Sequence, residues 1–183
     1  MNKQFPEINT ERLLLRKFMD KDINYVYRGL SHPEVIKYYG ISFNSLEDTK
    51  VQMNWFADLE KESTGIWWAI CSNDNKTFYG GGGLNDLNHK ESKAEIGFWL
   101  LPEHWGKGIM KEAMPLILRY GFNSLGLNRI EGFVETNNKN CKNALEKIDF
   151  NYERTMKDCE IKNGKLISLD IYSKLKQNSI KKV

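Results

Sequence analysis

The chain predicts an α+β fold, with helix and strand mixed through one domain, and three observations carry that prediction. Strand-like and helix-like apolar periods alternate along the chain. Two turn sequences, Asn73-Asp74-Asn75-Lys76 and Asn163-Gly164, lie between strand-like runs as hairpin turns do. Ala94 to Met110 runs from an apolar strand through a glycine turn directly into a helix. With 183 residues and 40% hydrophobic content there is enough for one core and little for two, so residues 1–183 read as a single domain, core about 8–176, tail 177–183.

Taken in order, the chain opens with a strand from Arg12 to Phe18, then a helix in which Ile23, Val26, Tyr27 and Leu30 recur at helical spacing before Pro33. A short helical piece covers Val35 to Tyr39. Ser45-Leu46-Glu47-Asp48 is a cap followed by an acidic first turn, opening a helix with Val51, Trp55 and Leu59 as the expected buried stripe and Gly65 as its end. Two strands follow, Ile66 to Ser72 and Phe78 to Leu84. The second contains Gly80-Gly81-Gly82-Gly83, which costs chain entropy and implies either a sheet irregularity or a place of close approach. After the strand ending at Leu100, Met110, Ala113, Met114, Ile117 and Leu118 form a helical apolar face, interrupted by Pro115, which is expected to bend it slightly. Asn128 to Glu135 is a strand, Asn138 to Ile148 a helix, and Phe150 to Ile161 and Leu166 to Leu175 the closing strands, giving about seven strands in all.

Composition excludes more than it selects. A net charge of +3 with basic residues spread along the chain gives no footprint for nucleic acid, and Lys181-Lys182 reads as a solvated tail. Cys71, Cys141 and Cys159 are far apart and odd in number, which fits neither a disulfide framework nor a zinc site, and points to a reducing cytoplasm. The N-terminal segment lacks a leader pattern, and no run approaches the roughly 20 apolar residues of a membrane span. His32, His89 and His104 stand alone in polar contexts, where structural roles prevail over catalysis.

The chemistry concentrates at Trp105-Gly106-Lys107-Gly108-Ile109-Met110. A helix beginning beside two glycines offers unpaired N–H groups and the positive end of its dipole, which suits a phosphate or pyrophosphate. Two common phosphate motifs do not fit: the P-loop Lys-Ser/Thr pair is missing, and Lys111 occupies the third glycine of a dinucleotide fingerprint.

These residues resemble the GNAT superfamily of acyl-CoA-dependent N-acetyltransferases, and within it the RimJ/RimL ribosomal-protein branch. The resemblance covers nearly the whole chain and rests on Thr10-Glu11-Arg12-Leu13-Leu14-Leu15-Arg16, on Ala94-Glu95-Ile96-Gly97-Phe98-Trp99-Leu100 leading into Trp105-Gly106-Lys107-Gly108, and on Asn138-Lys139-Asn140-Cys141 closing on Leu145 to Phe150. The superfamily motif is usually written Gln/Arg-x-x-Gly-x-Gly/Ala; here Trp105 and Met110 stand at its first and last positions, departures familiar in this branch.

The resemblance implies a central, mostly antiparallel sheet splayed between its fourth and fifth strands, with acetyl-CoA as co-substrate and no metal. The pyrophosphate would rest on the N–H groups of Gly106, Lys107, Gly108, Ile109 and Met110, with Lys107 either adding charge or facing solvent. The pantetheine arm would pair with the backbone of Trp99, Leu100 and Leu101, and Asn138 and Cys141 would face the thioester. Tyr38 and Tyr39 are the expected acceptor-pocket residues, and a homodimer is expected as in related enzymes.

Transfer to an amine needs a base, because an ammonium cannot attack a thioester, and a proton for the departing thiolate. The resemblance offers Glu95 as the base, with Glu135 as the alternative. Relatives often use a tyrosine acid where this chain has Leu145, so the donor role falls to Cys141, for which a small buried hydrophobe is the competing role. Asn138 equally serves as a helix cap. The acceptor is a protein N-terminus or a small amine such as a polyamine or aminoglycoside. A non-catalytic acyl-CoA-binding module is the other class of function left open.

Overall fold

The computed structural model describes residues 4–176; the expected tail at 177–183, with Lys181-Lys182, lies outside the described residues. Eight strands form one sheet in the order β1-β2-β3-β4-β5-β6-β8-β7. They are β1 (Ile8–Asn9), β2 (Leu13–Arg16), β3 (Ile66–Ser72), β4 (Phe78–Asn88), β5 (Lys93–Leu100), β6 (Arg129–Glu135), β7 (Asn151–Lys162) and β8 (Lys165–Leu175). The eighth is β1, only two residues long and paired antiparallel to β2, too short to leave a periodic signal in the sequence. Every pairing is antiparallel except β5 with β6. That pair is parallel because α4 (Ile109–Asn123) intervenes as the crossover that a parallel connection requires.

α4 and α5 (Lys139–Glu146) cover one face of the sheet, where Ile109, Ala113, Met114, Ile117 and Leu145 pack on Trp68, Leu84, Ile96 and Ile130. The other face carries α1 (Ile23–Leu30), α2 (Pro33–Ile36) and α3 (Leu46–Glu62), whose Val26, Leu30, Val35, Phe56 and Leu59 pack on Trp67, Ala69 and Trp99. The short second helix begins and ends earlier than the expected Val35 to Tyr39, leaving Tyr38 and Tyr39 in the loop that follows. Pro33 supplies its first turn, with His32 as the cap. On α3 the buried stripe is Thr49, Gln52, Phe56 and Leu59, while Val51 is 67% exposed. Polar Thr49 and Gln52 sit on the inward face, which displaced the apolar reading by one position. α4 continues through Pro115 as one helix.

The four glycines of β4 stay in register with both neighbouring strands. A Cβ at Gly83 would come within 2.4 Å of the Trp67 ring, and one at Gly97 on β5 within 2.5 Å of the same ring. The glycines therefore clear the sheet surface for an indole to lie flat across β4 and β5. Close approach is the reason for this glycine run, and the approaching group is the protein's own core.

Candidate active site

The sheet opens where β5 leaves β6. Their pairing covers Lys93↔Arg129, Ala94↔Ile130 and Glu95↔Glu131 and then stops. Beyond it β5 follows β4 as far as Gly80↔Leu100, and β6 follows β8 as far as Glu135↔Leu169, so a wedge widens between two strands each held from its outer side. Along the β5 lip, Leu101 N–H donates to Tyr79 C=O at 2.9 Å. Strand alternation turns Trp99 the same way, toward β4, so the backbone groups directed into the wedge are those of Phe98 and Leu100. This corrects the expectation for Trp99, whose backbone groups point toward β4, and for Leu101, whose N–H bonds β4 and whose carbonyl accepts His104 N–H at 2.9 Å; their side chains, 3% and 2% exposed, belong to the core. The Leu100 carbonyl already accepts the Trp105 indole N–H at 2.9 Å and keeps its second lone pair.

At the wide end of the wedge the chain turns into α4. Gly106 (φ +73°) and Gly108 (φ +76°) are both left-handed, a conformation that glycine alone adopts without strain. A Cβ at either would meet nothing within 4 Å, so the turn faces open space. Gly108 is the N-cap and has no side chain to satisfy the first turn. Among the described residues, the N–H groups of Gly106, Lys107, Gly108, Ile109 and Met110 have no acceptor in the chain. Ile109 is buried, anchoring the helix, whereas Lys107 and both glycines are exposed. The loop is braced from behind: Arg12 donates to Lys107 C=O at 3.2 Å and pairs with Glu112 at 3.5 Å, and Thr10 donates to Glu112 at 2.7 Å. Sequence reading gave Arg12 no such role, since its partners lie some hundred positions away.

α5 borders the wedge from the β6 side. Asn138 Oδ1 accepts Cys141 N–H at 3.1 Å, so Asn138 does cap this helix. Lys142, paired with buried Asp170 on β8, fixes the helix to the sheet. Burial pushes the Cys141 thiol up to about 12, so it stays S–H near neutrality: a proton donor in form, and a poor nucleophile. Leu145 is 1% exposed and packs beside Gly132, so this position offers a buried apolar side chain and no acid.

On the opposite face, Glu95 ends the paired part of β5. Burial, followed by repulsion from Asp86, Glu160 and Glu131, raises its carboxyl to about 7. Each neighbour arrives by a separate device. Asp86 sits in a bulge between Asn85↔Glu95 and Asn88↔Lys93, at φ +50°. Glu131 is the parallel partner of Glu95 and is itself paired with Arg129 at 2.8 Å. Glu160 lies past a wide bulge in β7, where the register jumps from Met156↔Leu169 to Glu160↔Ile167.

Tyr39 is also close: burial, then the Glu95 charge, holds its phenol well above the usual range. Tyr38 is half-buried, with the Lys37 ammonium 5.3 Å over its ring. The other alternative, Glu135, is occupied by an ion pair with Lys162. Asp86, Glu160 and Lys162 escaped sequence reading because bulges, which leave no periodic trace, put them here. Among the described residues no group of three or more His, Cys, Asp or Glu is arranged to hold a metal ion, and no helix is long and apolar enough to cross a membrane.

A strand-glycine-helix anion cradle opening onto a wedge between parallel strands defines a class of acyl-CoA-dependent transferase. The model of the acetyltransferase (GNAT) domain matches residues 12–151, and the chain belongs to that family. It is 35% identical over 173 residues to the uncharacterized N-acetyltransferase YoaA of Bacillus subtilis, covering 94% of this chain and 98% of that one. A GNAT-family acetyltransferase from Bacillus anthracis superposes with a TM-score of 0.82 at 27% identity, covering 93% of this chain and 98% of that one. A ribosomal L7/L12 N-acetyltransferase, RimL, in complex with coenzyme A shares the fold with a TM-score of 0.83 at 18% identity, covering 93% and 98%. The protein is an acetyl-CoA-dependent N-acetyltransferase.

Proposed function

We propose that the enzyme acetylates a primary amine by direct attack in a ternary complex, with Glu95 as general base and a protein α-amino group, in the manner of the RimJ/RimL branch, as acceptor. The observation that carries this is the Glu95 carboxyl, raised to about 7 at the narrow end of the wedge and beside Tyr39. A base near 7 is matched to an α-amino group of pKa about 8, so the proton transfer is nearly level. The free N–H groups from Gly106 to Met110 hold the pyrophosphate and the Phe98 and Leu100 backbone the pantetheine arm, while Asn138 and Cys141 lie toward the thioester.

The ammonium gives a proton to Glu95 through water, and its nitrogen then forms the N–C bond as the C–S bond breaks. The acylated nitrogen then gives up its second proton, which reaches the departing thiolate through water, while Cys141 S–H, kept protonated by burial, donates a hydrogen bond to that sulfur. A small polycationic amine is the second reading, favoured by the three carboxylates around Glu95. The core at about 8–176 forms one domain, and the protein works as a homodimer in the cytoplasm; its three free cysteines fit a reducing compartment.

Release of CoA thiol from acetyl-CoA tests the function, with an N-terminal peptide, spermidine and an aminoglycoside as acceptors. Sustained turnover with the peptide is expected. Turnover confined to spermidine supports the second reading, and binding of acetyl-CoA without turnover on any amine contradicts enzyme function.

A further inference from the structure

We infer that Lys162 is a positioning residue for the acceptor, its ammonium fastening three separate walls of the cleft around Tyr39 and Glu95. Lys162 closes β7, and its Nζ donates to the Lys37 carbonyl at 2.7 Å while pairing with the Glu135 carboxylate. Lys37 directly follows α2, two positions before Tyr39, and Glu135 ends β6 on the far lip of the wedge. One side chain, 20% exposed, therefore ties the acceptor loop, the β6 end and the β7–β8 hairpin together.

The β6 end is held by its pairing with β8 and by buried Val134, whereas the hairpin end and the loop have weaker attachments. At the hairpin end Ile161 is 75% exposed and its cross-strand partner Leu166 is 62% exposed. From position 37 to the start of α3, the backbone–backbone bonds among the described residues are Lys37 to Pro33, Tyr39 to Ile36 and Phe43 to Leu30, besides Ser45 C=O accepting Thr49 N–H where α3 begins. Register between β7 and β8 is regular from Glu160 through Lys162, so these two side chains share a face and the clasp also sets Glu160 against Glu95.

A cleft whose walls are fastened in advance binds its acceptor without first having to gather them. When the closed arrangement is only a fraction of the population, apparent affinity falls by that fraction, while the rate of the bound complex is kept. Lys162 makes no hydrogen bond or ion pair to the α4 turn or to the Phe98–Leu100 lip proposed to hold acetyl-CoA, so acetyl-CoA affinity is expected to be independent of it.

This inference rests on the acceptor entering beside Tyr39 and Glu95. The test is steady-state kinetics of Lys162→Met and Lys162→Arg, with calorimetric titration of acetyl-CoA. Lys162→Met is expected to raise KM for the amine by about 10-fold or more, with kcat within about 3-fold of wild type and acetyl-CoA affinity unchanged. Lys162→Arg, which keeps the charge and the donors, restores most of the loss. If Lys162→Met folds poorly, Glu135→Gln reads the same clasp and shows the same KM effect in milder form.

An unchanged amine KM in Lys162→Met overturns the inference, as does a parallel loss of acetyl-CoA affinity. A collapse of kcat in Glu135→Gln does so too, by making Glu135 a catalytic group. Glu95→Gln in the same assay separates the two readings: full activity there removes the proposed base, yet the KM split at Lys162 still decides the clasp.

Discussion

The two halves of the wedge are built in different ways. The cradle at its wide end is made of backbone from one contiguous stretch, Gly106 to Met110, and its specificity lies in two left-handed glycines and the start of a helix. The Tyr39–Glu95 end is made of side chains from four strands and a loop, brought together by two bulges, one parallel register and one lysine clasp. Backbone sites of the first kind tolerate almost any side chain around them. Side-chain sites of the second kind can change with one register shift, which is what a site that selects among amines, as proposed for this end, requires.

The sharpest test of the first half is Gly108→Val. A β-branched residue at φ +76° is strained although there is room for its side chain, so the turn must reshape and misdirect its N–H groups. Acetyl-CoA affinity measured by calorimetry is expected to fall by about 5- to 150-fold, since strain of roughly 1–3 kcal/mol corresponds to that range. The far-UV spectrum stays native, and unchanged affinity removes the cradle as the binding site. A smaller effect is expected where the halves meet. Cys141→Ala lowers kcat several-fold by removing a weak donor, while Cys141→Ser keeps or raises it, because a hydroxyl is the stronger donor. Loss of activity in the serine variant alone contradicts a donor role.

How much was legible in the sequence follows the same division. The glycines, the helix start, Asn138 as cap and the β5 strand are local features, readable as strings of residues. The course of α2 was misplaced because Pro33 starts a helix that the apolar positions suggested began later. Val51 was misread because Thr49 and Gln52 take the inward face of α3. Glu95 could be read only as a family position; its raised pKa comes first from burial and then from Asp86, Glu160 and Glu131, which are distant or bulge-displaced in the sequence. Trp67 and the β4 glycines explain one another only once the ring is seen lying across Gly83 and Gly97.

Holding a crowded carboxylate also costs stability, and the effect has a sign. A carboxyl raised from 4.5 to about 7 on folding binds more protons folded than unfolded, so it destabilises the fold as pH rises from about 4.5 through about 7. Glu95→Gln removes that penalty and is expected to stabilise the protein at pH 8 by on the order of 2–3 kcal/mol, discounted for partial solvent access, and by little at pH 4. Thermal melts at the two pH values check it. Equal shifts at both would show that charge is not the cause.

The most direct measurement is the pH dependence of kcat/KM for wild type and Glu95→Gln on one amine. Wild-type activity is expected to rise as Glu95 loses its proton near pH 7, and the variant to be lower by about 10²-fold or more at neutral pH. The deficit narrows as pH approaches the amine's own pKa and free amine accumulates, while acetyl-CoA affinity is unchanged throughout. A Glu95→Gln enzyme as active as wild type across the whole range would contradict the account, placing the base elsewhere.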